Sequence, residues 1–171
     1  MNQNTTNEYF HRDRFMLDGQ RLMVLDGQEY GADQAEYRTE IDNMTKVVSY
    51  KCDTTTGPAY FKVWFSNGNI AYYGSKAPSR IGLQQHRDVC LWLLDSIIDR
   101  NGNYVAYHYG KGGANYILKD IVYTGNGVLG INPVYKVTIK NDLRNDEETV
   151  FVGSRRGCCD AAVRPGGGEE G

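Results

Sequence analysis

Proline is scarce, with four in 171 residues, and no apolar run approaches the roughly 20 residues of a membrane-spanning helix. The opening stretch MNQNTTNEYFHRDR lacks the apolar centre of a signal peptide. The expectation is therefore a chain that stays in the cytoplasm before release, or that is secreted by a non-Sec route. Charge of one sign is also missing: the net charge is −2, which removes the basic footprint of a nucleic-acid binder. Cysteine is sparse, and Cys52, Cys90, Cys158 and Cys159 do not make a disulfide framework in a chain of this length. No C-x-x-C occurs, and His11, His86 and His108 stand at no metal-ligand spacing from the cysteines. No metal and no cofactor are expected.

Tyrosine and glycine are abundant, thirteen and twenty, and with little proline they favour strands joined by tight turns. The clearest unit is CLWLLDSIIDRNGNYVAYHYG, residues 90–110, where two apolar runs flank Asn101-Gly102. Asn-Gly between such runs signals a two-residue hairpin turn with positive φ at both residues. That turn sets Ile98 opposite Val105, Ser96 opposite Tyr107 and Leu94 opposite Tyr109. On the other face it sets Ile97 opposite Ala106 and Asp95 opposite His108. A second hairpin, AYFKVWFSNGNIAYYG at 59–74, sets Phe65 opposite Ile70 and Val63 opposite Tyr72 around Asn67-Gly68. A third, FMLDGQRLMVL at 15–25, sets Met16 opposite Arg21 and Phe15 opposite Leu22 around Asp18-Gly19.

YRTEID (37–42) and TKVVSYK (45–51) read as short strands around Asn43, and YILKDIVYTG (116–125) as a longer one with Ile117, Lys119, Ile121 and Tyr123 on one side. PVYKVTIKND (133–142) alternates, with Tyr135, Val137 and Ile139 inward, and ETVFVGS (148–154) closes the pattern. QEYGADQAE reads as a polar loop. SKAPSRIGLQQHRD (75–88) reads as a loop with a short helical turn around 81–87. Residues 1–8 are expected to be disordered, 9–154 to form an incomplete β domain, and 155–171 to be a disordered Gly/Glu tail. The fold class is all-β, a mostly antiparallel hairpin meander of about eight to ten strands. SNGNIAYYG and RNGNYVAYHYG echo one another, as repeated hairpin units of an extended sheet do.

Four motifs carry chemistry on paper. Gly125 to Gly130 matches G-x-G-x-x-G, but a strand-like segment follows it where a dinucleotide fold needs a helix. GKGGAN lacks the Ser or Thr of a P-loop. Asp99 to Asn103 resembles the start of a calcium loop, yet the glycine stands too early and Gly110 occupies the place of the bidentate Glu. Asp95 and His108 would be the base half of a triad, with no nucleophile motif to accompany them. No catalytic residue is assigned. The tyrosine stripes offer a candidate binding face of Tyr72, Tyr73, Tyr107 and Tyr109, for a glycan or a protein, set against ordinary half-buried packing.

The order of pieces resembles one family. L-D-G-Q then YRTEI, GPAYFKV with N-G and YYG after it, WLLDSIIDRNGNYVAYHY, ILKDIVYTGN, VYKVTIKNDLRND and VFVGS resemble the SpvB-type domain over about residues 14–154. That domain is the N-terminal region of the Salmonella virulence plasmid B protein and of insecticidal toxin complex B subunits. The D-x-N-G-N…Y-x-Y unit is similar to the YD repeats of RHS shell proteins. The resemblance implies a non-catalytic part of a larger β-rich shell that houses or delivers a toxin. It implies as partner the remainder of that shell or a toxin C-subunit-like protein. No nucleic acid and no membrane span enter this reading. Family members are several times longer, and the tail after Gly153 resembles nothing in them.

Overall fold

In the computed structural model, residues 14–52, 57–82, 89–112, 115–140, 150–152 and 155–157 are described. The strands are β1 (Met16–Leu17), β2 (Gln20–Val24), β3 (Glu36–Thr39), β4 (Lys46–Tyr50), β5 (Tyr60–Trp64), β6 (Ile70–Tyr73), β7 (Arg80–Gly82), β8 (Val89–Trp92), β9 (Leu94–Ile98), β10 (Asn103–Gly112), β11 (Asn115–Asn126), β12 (Tyr135–Thr138), β13 (Val150–Val152) and β14 (Arg155–Gly157). Ten of them form one sheet in the order β1-β2-β3-β4-β5-β6-β9-β10-β11-β12, and every pairing in it is antiparallel. This is the expected all-β meander. β7–β8 and β13–β14 are separate two-stranded hairpins.

The turn at Asp18-Gly19 follows the two-residue rule. Both residues have positive φ, 49° and 78°, and Met16 pairs with Arg21 as expected. The turns at Asn67-Gly68 and Asn101-Gly102 do not follow it, which corrects the expected register of both hairpins. Only the glycines have positive φ there, 85° and 84°. Gly68 N–H donates to the Phe65 carbonyl at 2.9 Å and Phe65 N–H to the Asn69 carbonyl at 2.9 Å. Gly102 N–H donates to the Asp99 carbonyl and Asp99 N–H to the Asn103 carbonyl in the same pattern. Each is a three-residue loop, a type I turn closed by a left-handed glycine. Trp64 therefore faces Ile70 and Val63 faces Ala71, while Ile98 faces Tyr104, Ile97 faces Val105 and Ser96 faces Ala106. The shift of one residue exchanges the two faces. The expected Asp95–His108 pair is lost with it, and His108 lies opposite Asp120 instead.

The realised register builds a straight apolar row across seven strands: Val24, Tyr37, Val47, Val63, Ala71, Ile97 and Val105 are successive cross-strand partners. Tyr37, Val47, Val63 and Ala71 in the middle of the row are fully buried. Burial of the row is the physical reason for the three-residue loops. The alternative register would put Tyr72 where Ala71 fits and turn Ala71 out to solvent.

An aromatic cluster caps this face. Phe15 lies 5.0 Å from Phe61, 5.1 Å from Tyr30 and 5.7 Å from Trp92, ring centre to ring centre. Tyr30 comes from the segment read as a polar loop, which instead folds onto the sheet. Ser49 holds it there, its hydroxyl donating to the Ala32 carbonyl at 2.8 Å while its backbone carbonyl accepts from Gln34 N–H.

Three further segments depart from expectation. Residues 80–82, read as loop, pair with β8 through Arg80–Trp92 and Ile81–Leu91. The helical turn lies at Ala77–Ser79, ahead of the expected 81–87, where Ile81 and Gly82 are strand and residues 83–87 lie outside the described residues. A register shift between His108 and Tyr109 leaves Lys119 as an extra residue in β11, so Ile117 and Ile121 do not share the simple alternation expected. The inward face expected for β12 is open: Tyr135 and Val137 are exposed, because the sheet ends at this strand. β13, read as the last strand, is present, and it pairs with β14 just past residue 154.

Candidate sites on the two faces of the sheet

The four tyrosines expected to form a binding face divide between the two faces. Tyr72 pairs with Lys62 and Ser96 on the outer face, away from the aromatic cluster. Tyr73, the next residue, pairs with Phe61 and Leu94 and packs against the core. Tyr107 and Tyr109 lie opposite Ile121 and Leu118, and the Tyr109 hydroxyl donates to the Leu94 carbonyl at 2.9 Å. Burial pushes the Tyr109 phenol up to about 12, with the nearby Asp95 carboxylate, Tyr107 and Tyr73 acting in the same direction. Burial likewise raises Tyr73, with Asp18 and Tyr107 adding to it. Tyr73, Tyr107 and Tyr109 are thus one half-buried group, and Tyr72 belongs to another.

Tyr72 joins side chains that the expected register had hidden. In the realised register Lys46, Lys62, Trp64, Tyr50, Tyr60 and Glu36 all share its face. The Lys62 ammonium lies 4.6 Å from the Trp64 ring centre and 5.4 Å from that of Tyr72. Lys46 lies 5.5 Å from the Trp64 ring centre on the neighbouring strand. Tyr50 and Tyr60 stack at 5.0 Å with planes 9° apart. Burial raises the Tyr60 phenol, and the Tyr50 ring beside it adds to the effect. The Glu36 carboxylate receives Arg38 at 2.7 Å and Lys46 at 2.5 Å. A shallow groove of about 420 Å³ runs between them, lined by Gln34, Glu36, Lys46, Val48, Tyr50 and Trp64. Lys46 and Tyr50 flank Val48 on one side of KVVSY, and Tyr60, Lys62 and Trp64 alternate in YFKVW, but only the pairing of the two strands brings them together.

The other motifs resolve into structure. The Asp99 carboxylate accepts the Asn101 and Asn103 N–H groups and the Asn103 side-chain amide, each at 2.8 Å. The Asn103 amide, ahead of the backbone donors, holds its carboxyl below the usual range. These donors occupy the oxygens that a calcium ion would need. Gly127–Gly130 is a turn, and Ile131 bridges straight back to Asn126, so no helix offers its N-terminus to a phosphate. Asn126 is buried and joins that turn to its neighbour, donating to the Asn101 carbonyl and the Asn103 side chain, both at 2.9 Å.

Asp95, fully buried, accepts Ser75 and Lys76 N–H groups through Oδ2, which clamps the chain where it leaves the sheet for β7. Among the described residues no group of three or more His, Cys, Asp or Glu side chains is placed to hold a metal ion. Cys52 is half-buried and burial raises its thiol, while Cys158 and Cys159 lie outside the described residues.

Comparison with known proteins adds to this geometry. The pattern of the SpvB family, described as Salmonella virulence plasmid 65kDa B protein, matches residues 5–126. No curated protein matches the chain. A crystal structure of TcdB2-TccC3-TEV is similar at 16% identity and a TM-score of 0.55, covering 82% of this chain and 9% of that one. A mutant Photorhabdus luminescens Tc holotoxin pore is similar at 17% identity and a TM-score of 0.50, covering 63% of this chain and 6% of that one. The N-terminal domain of effector protein SpvB from Salmonella typhimurium strain LT2 is similar at 15% identity and a TM-score of 0.47, covering 62% of this chain and 35% of that one. The chain spans about a third or less of the length of each. The first two share its fold.

Proposed function

The chain belongs to the SpvB family, and from that membership we propose that it is a non-catalytic structural segment of a larger toxin-complex shell that houses or delivers a toxin. The observation that carries this reading is the open edge at β12. Val134, Tyr135 and Val137 are 73%, 59% and 47% exposed, and no strand pairs with the far side of β12 among the described residues. Val128, Leu129 and Ile131, in and after the turn that precedes β12, are exposed as well. A free strand edge carrying apolar side chains invites pairing, so it belongs where a sheet runs on into a neighbour.

The solved structures that share the fold are much longer, and one of them is of TcdB2-TccC3-TEV. The partner is accordingly the remainder of such a shell, or a toxin C-subunit-like protein, with residues 9–154 as the unit that contributes. Release by a non-Sec route belongs to the same reading. No helix among the described residues is long and apolar enough to cross a membrane.

Light scattering after size-exclusion chromatography tests this. The full chain is expected to associate as its concentration rises, and Val134→Lys with Val137→Lys to reduce that association while the β-sheet circular dichroism persists. A monomer at all concentrations with its edge unaltered would overturn the proposal.

A further inference from the structure

The groove on the outer face of β3–β5 has the composition of a ligand site and no role in the shell reading. We propose that it binds an acidic saccharide, with the sugar ring on the Trp64 and Tyr50 plates and its carboxylate toward Lys62.

The shape suits a sugar ring. Tyr50 and Tyr60 stack with planes 9° apart, and Trp64 lies on the same face of β5 as Tyr60, four residues on. The pyranose C–H face would lie against the side of Tyr50 turned away from Tyr60 and the part of the Trp64 ring that the lysines leave uncovered.

The rim is polar. Gln34 and Glu36 bring planar amide and carboxylate groups to it, suited to vicinal hydroxyls.

The charge balance calls for an anion. Among the described residues, Arg38, Lys46 and Lys62 stand against Glu36 on this part of the face, with Asp33 near its Tyr60 end. Glu36 already engages Arg38 and Lys46. Lys62 has Trp64 and Tyr72 rings around it and no ion-pair partner among the described residues. An anionic group is the complement of that arrangement, and partial desolvation by the rings strengthens the attraction.

Topology favours a saccharide over an acidic peptide. β3, β4 and β5 lie inside the sheet with neighbours on both sides, so no backbone edge is free to pair with a peptide strand. Recognition here must run through side chains alone, over a surface that a sugar ring fits.

The test is isothermal titration calorimetry of the full chain with tetragalacturonic acid and with sialyllactose, against maltotetraose and a tetraglutamate peptide. One of the acidic saccharides is expected to bind, and to weaken as salt rises. Trp64→Ala is expected to weaken it ~10-fold and Lys62→Gln ~3-fold, with Trp64→Phe retaining most of the affinity. Circular dichroism establishes that each variant is folded. Silence with both acidic saccharides, equal binding of maltotetraose, binding of tetraglutamate alone, or affinity unchanged in folded Trp64→Ala would each overturn the proposal. Concentration-dependent association of the chain through β12 would be untouched by any of these results, so the two proposals fail separately.

Discussion

The Arg100 guanidinium donates from Nε to the Asn67 backbone carbonyl at 2.8 Å, its side chain lying across the flank of Gly68. The β5–β6 and β9–β10 turns are thereby clasped together, although they are 33 residues apart in the chain. A Cβ added at Gly68 would collide with that Nε, on a backbone with φ of +85°. The same rim continues one turn further: Gly127 N–H donates to the Gly102 carbonyl at 2.9 Å, and Val128 packs where a Gly102 side chain would go.

Gly68→Ala is therefore expected to lower stability by about 1–3 kcal/mol, through backbone strain and displacement of Arg100. In an Arg100→Ala background the same change should cost less, because only the strain remains. Urea unfolding of the four chains of that cycle measures the coupling, and a coupling indistinguishable from zero would show that the two turns act independently.

The register is open to direct chemical test. Ser96→Cys with Ala106→Cys places the thiols on directly opposed residues and should close a cross-strand disulfide. Ile97→Cys with Ala106→Cys, the pair that a two-residue Asn-Gly turn would align, should not. Peptide mapping without reduction reads the outcome, and the reverse result would restore the two-residue turn.

Phe61 is almost wholly buried and touches both Phe15 and Trp92 at 5.0 Å between ring centres. Phe61→Ala removes the ring that holds the aromatic cap to the sheet, with an expected cost of about 3–5 kcal/mol. Thermal unfolding followed by circular dichroism measures it. A loss under about 1 kcal/mol would mean that the cap contributes little to the core.

Alkaline pH should unfold the protein through its tyrosines. Burial raises Tyr30 and Tyr109 from 10.0 to about 12. Between those values the folded chain holds protons that the unfolded chain has released, so stability falls as pH rises. Below pH ~10 the contribution is fully present. Tyrosinate absorbance followed across this window should show a late, cooperative step coinciding with loss of sheet structure. Simple titration of every tyrosine near 10 would contradict the burial.

The hairpins are legible because turn chemistry is local. Asp18-Gly19, Asn67-Gly68 and Asn101-Gly102 each mark a turn wherever the chain folds. Phe61 and Val63 are legible as strand residues through their period of two. The outer-face groove is not legible: Lys62 and Trp64 become neighbours of Lys46 only once β4 and β5 are in register. Tyr30 reads as part of a polar loop because its partner Phe15 lies 15 residues away.

An antiparallel meander with its bends at those Gly-containing turns follows from the amino acids alone, since backbone propensity and left-handed glycine act within a few residues. Which face of each strand turns inward is decided only by packing across the sheet. Two-residue and three-residue loops both suit Asn-Gly, so the local chemistry leaves the register open by one step. Burial of the Val24-to-Val105 row across seven strands selects the three-residue form. That choice also sends Tyr72 to the outer face, beside Lys62 and Trp64, and leaves Tyr73 packed against the core.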